Sequence, residues 1–257
     1  KSVDPMGGLD VRKLVAIGVS QSGTRIMAYL NGIQPLTGVF DAFSPIICAG
    51  TAADFEPELA HPDPADVEGR HDTLTEEERT DPQAALKAAS TNRGHSRSVP
   101  ALVRADLSVP VMPLNTETEA FVYFPRRQPE TEKFCYWEIA GASHAGGPQR
   151  GAMDGRLARD GGIGSSEGSG EVSRALPSLV DARAVYDTAM HHIHRWITTG
   201  EAPPRQEPIE ITGSPPAIIR DEYGNAKGGI RLPELDVPIA TYRGMNDRGS
   251  IAGVTMP

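Results

Sequence analysis

The sequence predicts an α/β protein whose mostly parallel sheet is covered by helices on both faces. Three observations predict this fold class. The apolar run KLVAIGV at 13–19 indicates a buried strand, and residues 24–30 follow it at once with helical spacing. A second apolar run, VFDAFSPII at 39–47, completes a strand–helix–strand unit, which favours parallel pairing with a right-handed crossover. Residues 134–140 supply a further strand, and 179–196 form the most regular amphipathic helix.

The turn between the first strand and its helix, GVSQSG, has the pattern of a nucleophile elbow. A nucleophile at such a strand-to-helix turn has a strained backbone, and the residues two before and two after it must be small. Gly18 and Ser22 meet this requirement around Ser20. The other register would place Ser22 at the tip between Ser20 and Thr24, and it is poorer because threonine is β-branched and no glycine precedes the nucleophile.

A serine nucleophile needs a base, and the base needs a carboxylate to orient it. His144 follows the strand FCYWEIA by three small residues, which puts an imidazole at the carboxyl end of a sheet strand, where α/β active sites lie. The strand-like run at 109–115 leads directly into the sequence TETE. Glu119 has the expected position for the acid, Glu117 is the alternative, and Asp41 on the earlier strand is a weaker candidate.

The order of these candidates along the chain is Ser20, Glu119, His144, which is the order of the α/β-hydrolase fold. Chymotrypsin-like and subtilisin-like enzymes have different orders. This arrangement predicts a serine hydrolase that cleaves carboxylic esters or lactones through an acyl-enzyme on Ser20. His144 would accept and return the proton, Glu119 would hold its tautomer, and the backbone N–H of Gln21 would donate to the oxyanion.

Composition excludes several other classes of protein. Lysine and arginine number 25 against 34 aspartates and glutamates, a net charge of −9, which argues against a nucleic-acid partner. No run approaches 18 apolar residues, so no membrane-spanning helix is predicted. Two cysteines, Cys48 and Cys135, allow one disulfide bond or none. The cluster of His191, His192 and His194 lacks the spacing of a metal site, and neither a metal nor another cofactor is predicted.

Five stretches of the chain carry a resemblance to a known family: LVAIGVSQSGTRIMAYLNGI with GVFDAF, VPVMPLNTETE, WEIAGASHAG, HRWITTGEAPPRQEPIEI, and GGIRLPELDVPIATYRGMN. They resemble bacterial and fungal serine esterases that have an α/β-hydrolase domain with a GxSQSG elbow followed by VFDG. The resemblance implies an α/β-hydrolase fold acting on a small-molecule ester, with Ser20, Glu119 and His144 at the matching positions. The chain departs from the pattern at 24–25, where the family has arginine and an aromatic residue, and at Ala42, where it has glycine.

The resemblance also implies how the chain is organised. Residues 1–205 correspond to the C-terminal part of a hydrolase core. Within them, residues 49–107 are rich in charge and proline and too long for a simple connection, which indicates a cap insertion, and the glycine content of 145–177 indicates a loop. Residues 206–257 are expected to form a tail of short strands that packs on the core. Because an α/β hydrolase has several strands before its nucleophile, we expect the N-terminal strands to be missing from this chain and to come from a second polypeptide.

The same residues are compatible with two other functions. A catalytically silent α/β-hydrolase scaffold could serve binding or assembly, since a fold does not by itself imply a function. An acyltransferase would use the same triad but would pass the acyl group to an acceptor other than water.

Overall fold

The computed structural model describes residues 6–48, 50–53, 98–160, 176–245 and 253–257. The strands are β1 (Val15–Val19), β2 (Ala42–Ile46), β3 (Thr51–Ala53), β4 (Ser98–Pro100), β5 (Leu114–Thr116), β6 (Trp137–Ile139), β7 (Ile211–Thr212), β8 (Ala217–Ile218), β9 (Thr241–Arg243) and β10 (Val254–Met256). The helices are α1 (Gln21–Gly32), α2 (Gln34–Thr37), α3 (Glu117–Tyr123), α4 (Gly147–Arg159), α5 (Arg183–Thr199) and α6 (Pro233–Asp236), and a 3₁₀ turn spans Phe124–Arg126.

Four of these strands form a parallel sheet in the order β1-β2-β5-β6. The predicted α/β class with a parallel sheet is therefore confirmed. Because all four strands run the same way, their carboxyl ends meet at one edge of the sheet. The residues that follow β1, β5 and β6 along the chain therefore lie near one another at this edge.

The two faces of the sheet are packed against different helices. Successive strand residues point to opposite faces, and they divide accordingly between two buried clusters. Phe43 and Val111 lie in the cluster that contains Met27 and Leu30 of α1. The cluster of the other face joins residues of β5 and β6 to the buried side of α5: Leu114, Trp137, Ile139, Val185, Ala189, Ile193 and Trp196. Helices therefore cover both faces, as predicted.

Helix α5 begins later than the sequence pattern predicts. The pattern starts the helix after Ser178, but the first helical residue is Arg183. Ser178 is fully buried and its hydroxyl donates to the carbonyl oxygen of Gly141 at 2.7 Å. Val180 is also buried. This segment therefore packs into the core without helical structure before the helix starts, and the helix runs to Thr199, with Gly200 at its C-cap and φ of 80°.

The segment expected as a Gly-rich loop, 145–177, contains helix α4. This prediction was wrong for residues 147–159, because glycines at 151 and 155 hide a helical stretch that has proline in its first turn and two arginines in its last. Residues 161–175 lie outside the described ranges. Most of the expected cap insertion, residues 54–97, lies outside them too, and the flanking strands β3 and β4 pair antiparallel. The cap remains a prediction.

The C-terminal segment from residue 206 contributes short antiparallel pairs, β7 with β8 and β9 with β10. Ile209, Leu235 and Tyr242 are buried in the same cluster as the strands β5 and β6. A tight turn at Gly224, with φ of 79°, reverses the chain within this segment. This segment therefore packs directly behind the sheet edge from which the site is built.

Candidate active site

Ser20 occupies the turn between β1 and α1 with φ of 55° and ψ of −120°. Positive φ is uncommon for a residue with a Cβ atom and costs on the order of 1–3 kcal/mol unless the surroundings enforce it. Here the N–H of Ser20 donates to the carbonyl oxygen of Ile46 on β2 at 2.9 Å, and its carbonyl oxygen accepts the N–H of Thr24 at 3.1 Å. The turn is thus tied to both the neighbouring strand and the following helix.

The residues around the turn are small because the strand and the helix nearly touch. A Cβ atom on Gly18 would lie 2.4 Å from the carbonyl oxygen of Ser22, and one on Gly23 would lie 2.9 Å from Cβ of Cys48. Gly18 was identified from the sequence, whereas the requirement at Gly23 was missed. The sequence GVSQSG does contain this signal, because Gly23 is the third residue after Ser20 and lies against the neighbouring strand β2.

Ser22 lies within α1 and not at the tip of the turn. Its hydroxyl donates to the carbonyl oxygen of Val19 at 2.8 Å and accepts the N–H of Val19 at 2.7 Å. The Ser22 side chain therefore links the first turn of α1 to the end of β1, and Ser20 is the residue at the tip, with a positive φ.

The structure brings Ser20, His144 and Glu119 into one hydrogen-bonded series. Oγ of Ser20 is 2.9 Å from Nε2 of His144, and Nδ1 of the same imidazole is 2.7 Å from Oε1 of Glu119. An imidazole with its proton on Nδ1 donates to the carboxylate and leaves Nε2 free to accept the serine proton. The geometry is that of a nucleophile, a base and an orienting acid.

Glu119 is buried at the start of α3. Its Oε2 accepts the hydroxyl of Thr116 at 2.5 Å and the N–H of Thr116 at 3.1 Å. The sequence Thr-x-x-Glu is the pattern of a helix capping box, and this signal could have placed Glu119 in the first turn of a helix. The positive end of the helix dipole lies at that turn, beside this carboxylate.

Glu117, the alternative acid, is bonded to groups other than the imidazole. Its Oε1 accepts Nη2 of Arg220 at 2.8 Å and its Oε2 accepts the N–H of Gly141 at 2.8 Å. Asp41, the weaker candidate, lies immediately before β2 and not on it, where it accepts a hydrogen bond from the N–H of Leu14 and pairs with Lys13. These hydrogen bonds lower the pKa of the Asp41 carboxyl.

His144 is delivered to the site by the turn that follows β6. Gly141 has φ of 68°, and a Cβ atom there would lie 2.8 Å from a methyl group of Leu235. Thr118 holds the end of this turn, since its hydroxyl oxygen accepts the N–H of His144 at 3.0 Å. The predicted base therefore depends on contacts to α3 and to the C-terminal segment.

Gln21 is the first residue of α1, so its N–H is among those at the helix start that have no partner within the helix. It directly follows Ser20, at the positive end of the helix dipole. This N–H could therefore donate a hydrogen bond to an anion that forms beside Oγ of Ser20.

Both cysteines are free and buried. Burial raises the pKa of the Cys48 thiol to about 12, and burial also raises the pKa of the Cys135 thiol. The question of a disulfide that the sequence left open is thereby answered for this structure, in which the two thiols are separate.

The three histidines of α5 are not gathered around a common point. The ring of His192 packs edge-on against Trp137, with 5.7 Å between centroids, and burial lowers its pKa. Within the ranges that the structure describes, no group of three or more metal-ligating side chains is found. Across the same residues, no helix has the length and apolarity needed to cross a membrane.

Comparison with known families gives one result. A family model described as an alpha/beta hydrolase domain matches residues 1–257, the whole of the sequence. Searches of curated proteins and of solved structures find no match.

Proposed function

The chain belongs to the alpha/beta hydrolase domain family, and from this premise we propose that it is a serine hydrolase that cleaves carboxylic esters, lactones included. The family membership confirms the predicted fold and indicates hydrolase activity in general. The specificity for esters and the roles of individual residues belong to the proposal.

One observation carries the proposal: the unbroken series from Oγ of Ser20 through the imidazole of His144 to the carboxylate of Glu119. The three residues follow three different strands, β1, β5 and β6, at the carboxyl edge of the sheet, and Ser20 has a strained backbone. Strained residues concentrate at active sites, because ordinary packing gives no reason to maintain them.

In the first half of the reaction, Oγ of Ser20 attacks the carbonyl carbon of the ester while Nε2 of His144 takes the hydroxyl proton. The carbonyl oxygen becomes an oxyanion, to which the N–H of Gln21 donates. When the bond to the alkoxy oxygen breaks, His144 gives its proton to that oxygen and the alcohol leaves. Glu119 keeps the Nδ1 proton in place and stabilises the imidazolium.

In the second half, water takes the part that Ser20 played in the first. His144 removes a proton from the water molecule, whose oxygen attacks the acyl carbon. The bond to Oγ then breaks, the proton passes to Ser20, and the carboxylic acid is released. Acceptance of an alcohol or amine in place of water would give acyl transfer by the same steps.

A matched pair of serine variants tests the proposal. Ser20→Ala is expected to lower kcat for a chromogenic ester by about 10⁶-fold, as loss of a triad nucleophile does. Ser22→Ala, two residues away, is expected to keep its activity because its hydroxyl binds only Val19. An active Ser20→Ala with an inactive Ser22→Ala would refute the assignment.

A fluorophosphonate probe separates a hydrolase from a silent scaffold. Oγ of Ser20 would attack phosphorus and expel fluoride, leaving a stable adduct that peptide mass spectrometry locates. We expect the adduct on Ser20 in the wild type and none in Ser20→Ala. A folded wild type that neither reacts with the probe nor turns over a panel of small esters would favour the scaffold.

The proposal includes the second polypeptide that the sequence predicts. Among the described strands β1 has one neighbour, β2, and Ile17 and Val19 on it are half exposed. Strands of a parallel sheet are ordinarily covered on both faces, and an open edge invites pairing. Mass spectrometry of the native particle after denaturation is expected to find a second component, and a fully active particle that contains only this 27.4 kDa chain would contradict it.

A further inference from the structure

Three consecutive residues, Glu117, Thr118 and Glu119, contact His144 or the turn that precedes it. Glu119 contacts the imidazole, whereas its two predecessors hold the backbone that carries it. The N–H of Glu117 donates to the carbonyl oxygen of Ala142 at 3.1 Å, and its Oε2 accepts the N–H of Gly141 at 2.8 Å. With the bond from the His144 N–H to Thr118, three positions of the turn at 141–144 are tied to α3.

Each of these two residues is held in turn by the C-terminal segment. Nη2 of Arg220 donates to Oε1 of Glu117 at 2.8 Å, and the hydroxyl of Thr118 donates to the carbonyl oxygen of Gly244 at 2.6 Å. A Cβ atom on Gly244 would lie 2.6 Å from the N atom of Thr118, so the backbones are in close approach. The C-terminal segment therefore holds Glu117 and Thr118 in place, and through them the turn that carries His144.

Among these contacts, the one between Glu117 and Arg220 is an ion pair. The Glu117 side chain is 1% exposed and that of Arg220 is 25% exposed. A carboxylate buried to this degree needs a cation or several hydrogen bonds, because removal from water disfavours its charge. Without Arg220, Oε1 of Glu117 would lose its partner in a buried site, the side chain would shift, and its bond to the Gly141 N–H would weaken or be lost.

We propose that Arg220 is a positioning residue for the base: through Glu117 it holds the turn of residues 141–144, and thereby the imidazole of His144, in register with Ser20 and Glu119. This role rests on the proposed function, since it serves the same triad. Arg220 itself does not touch the imidazole or the nucleophile, and it acts through one buried carboxylate.

The kinetic test replaces Arg220 by methionine, which preserves much of the side-chain length without the charge. A displacement of about 1 Å at a reacting group can lower the rate by about 10²-fold. We therefore expect Arg220→Met to lower kcat by about 10- to 100-fold with KM changed less than about twofold. Arg220→Lys, which retains a cation for Glu117, is expected to recover a large part of the loss.

Arg231 offers a matched control in the same C-terminal segment. It pairs with Asp221 and Asp236 and donates to backbone carbonyl groups of that segment. Arg231→Met should therefore loosen the segment locally without removing the link to Glu117, and its kcat is expected to stay within about twofold of the wild type. Equal losses of kcat in Arg220→Met and Arg231→Met would overturn the specific role of Arg220.

A spectroscopic readout keeps this test separate from catalysis. A histidine proton shared with a carboxylate gives a far-downfield proton NMR signal, and here Nδ1 of His144 lies 2.7 Å from Glu119. We expect this signal in the wild type and in Arg231→Met, and its broadening or loss in Arg220→Met. If Arg220→Met does not fold, the double variant Glu117→Gln, Arg220→Met, which has no unpaired buried charge, is expected to show the same loss.

The outcomes distinguish the two proposals. A signal lost in Arg220→Met from a wild type without ester turnover would support the positioning role and overturn the proposed function. An active wild type whose folded Arg220→Met variant keeps both kcat and the signal would overturn the positioning role alone.

Discussion

Replacing Ser20 by glycine and by alanine separates the backbone of the turn from its chemistry. Both variants lose the hydroxyl that contacts His144, so both lack the proposed nucleophile. They differ in how well they tolerate φ of 55°. Alanine retains the Cβ atom that disfavours this conformation, whereas glycine adopts it without steric cost.

The expected difference in stability follows from two opposing effects. The strained conformation costs about 1–3 kcal/mol for a residue with a Cβ atom. Glycine offsets part of this gain because it loses more conformational entropy on folding, about 0.5–1 kcal/mol. The glycine variant should therefore unfold with a free energy about 1 kcal/mol higher than the alanine variant, which corresponds to a rise in Tm of about 2–4 °C for a chain of this size.

Urea and thermal unfolding of the two variants measure this difference directly. The same pair of substitutions at Ser22 is the control, because Ser22 lies within α1 and has no such strain. There the glycine variant should be the less stable, by about 0.5–1 kcal/mol. A Ser20→Gly variant no more stable than Ser20→Ala would refute the inference that the turn stores strain at this residue.

Three further predictions concern the acid, the thiols and a buried ion pair. Glu119→Gln is expected to lower kcat by about 10⁴-fold, since an amide favours the wrong imidazole tautomer; steady-state kinetics on a chromogenic ester checks this, and a full-rate variant would exclude Glu119 as the acid. Cys48 and Cys135 should react slowly with a disulfide reagent at pH 8, because their raised pKa values keep both thiols protonated at that pH, and fast reaction of the native protein would contradict their burial. Arg127→Met should lower the free energy of unfolding by about 3–5 kcal/mol, because it leaves the buried carboxylate of Glu138 without its cation. Urea unfolding measures this loss, and a change below about 1 kcal/mol would contradict it.

The strand-to-helix turn at Ser20 could be predicted from the sequence because its causes are local. An apolar strand, two small residues and an amphipathic helix stand next to one another around Ser20, and each restricts the same few dihedral angles. The positions of His144 and Glu119 after their strands could be predicted for a similar reason, since parallel strands end at a common edge. Their catalytic roles remain a prediction that the experiments above address.

The local sequence favours Glu119 over Glu117 by its position after the strand, but it does not show which partner each carboxylate binds. Glu117 and Glu119 both lie in the first turn of α3, and both are buried. What separates them is the partner of each carboxylate: Arg220, which lies 103 positions along the chain from Glu117, and His144, 25 positions from Glu119. A pattern of neighbouring residues carries no information about such distant pairing.

The start of α5 illustrates the same limit. Residues 179–182 have the apolar spacing of a helix, yet the chain is not helical there. Ser178 is required elsewhere, as the donor to Gly141 at the base of the histidine turn. A tertiary hydrogen bond of a buried group outweighs the weak local preference for helix.

The contacts between the C-terminal segment and the site are the feature that the sequence pattern predicts least. Its sequence pattern indicates only a set of short strands without motifs. Arg220 and Gly244 nevertheless supply the contacts that hold Glu117 and Thr118 of α3 in place. Such contacts need only one charged group and one position without a Cβ atom, and neither requirement leaves a periodic signal in the sequence. We therefore expect a substitution in this segment to alter the proposed catalysis even where it touches none of Ser20, Glu119 and His144.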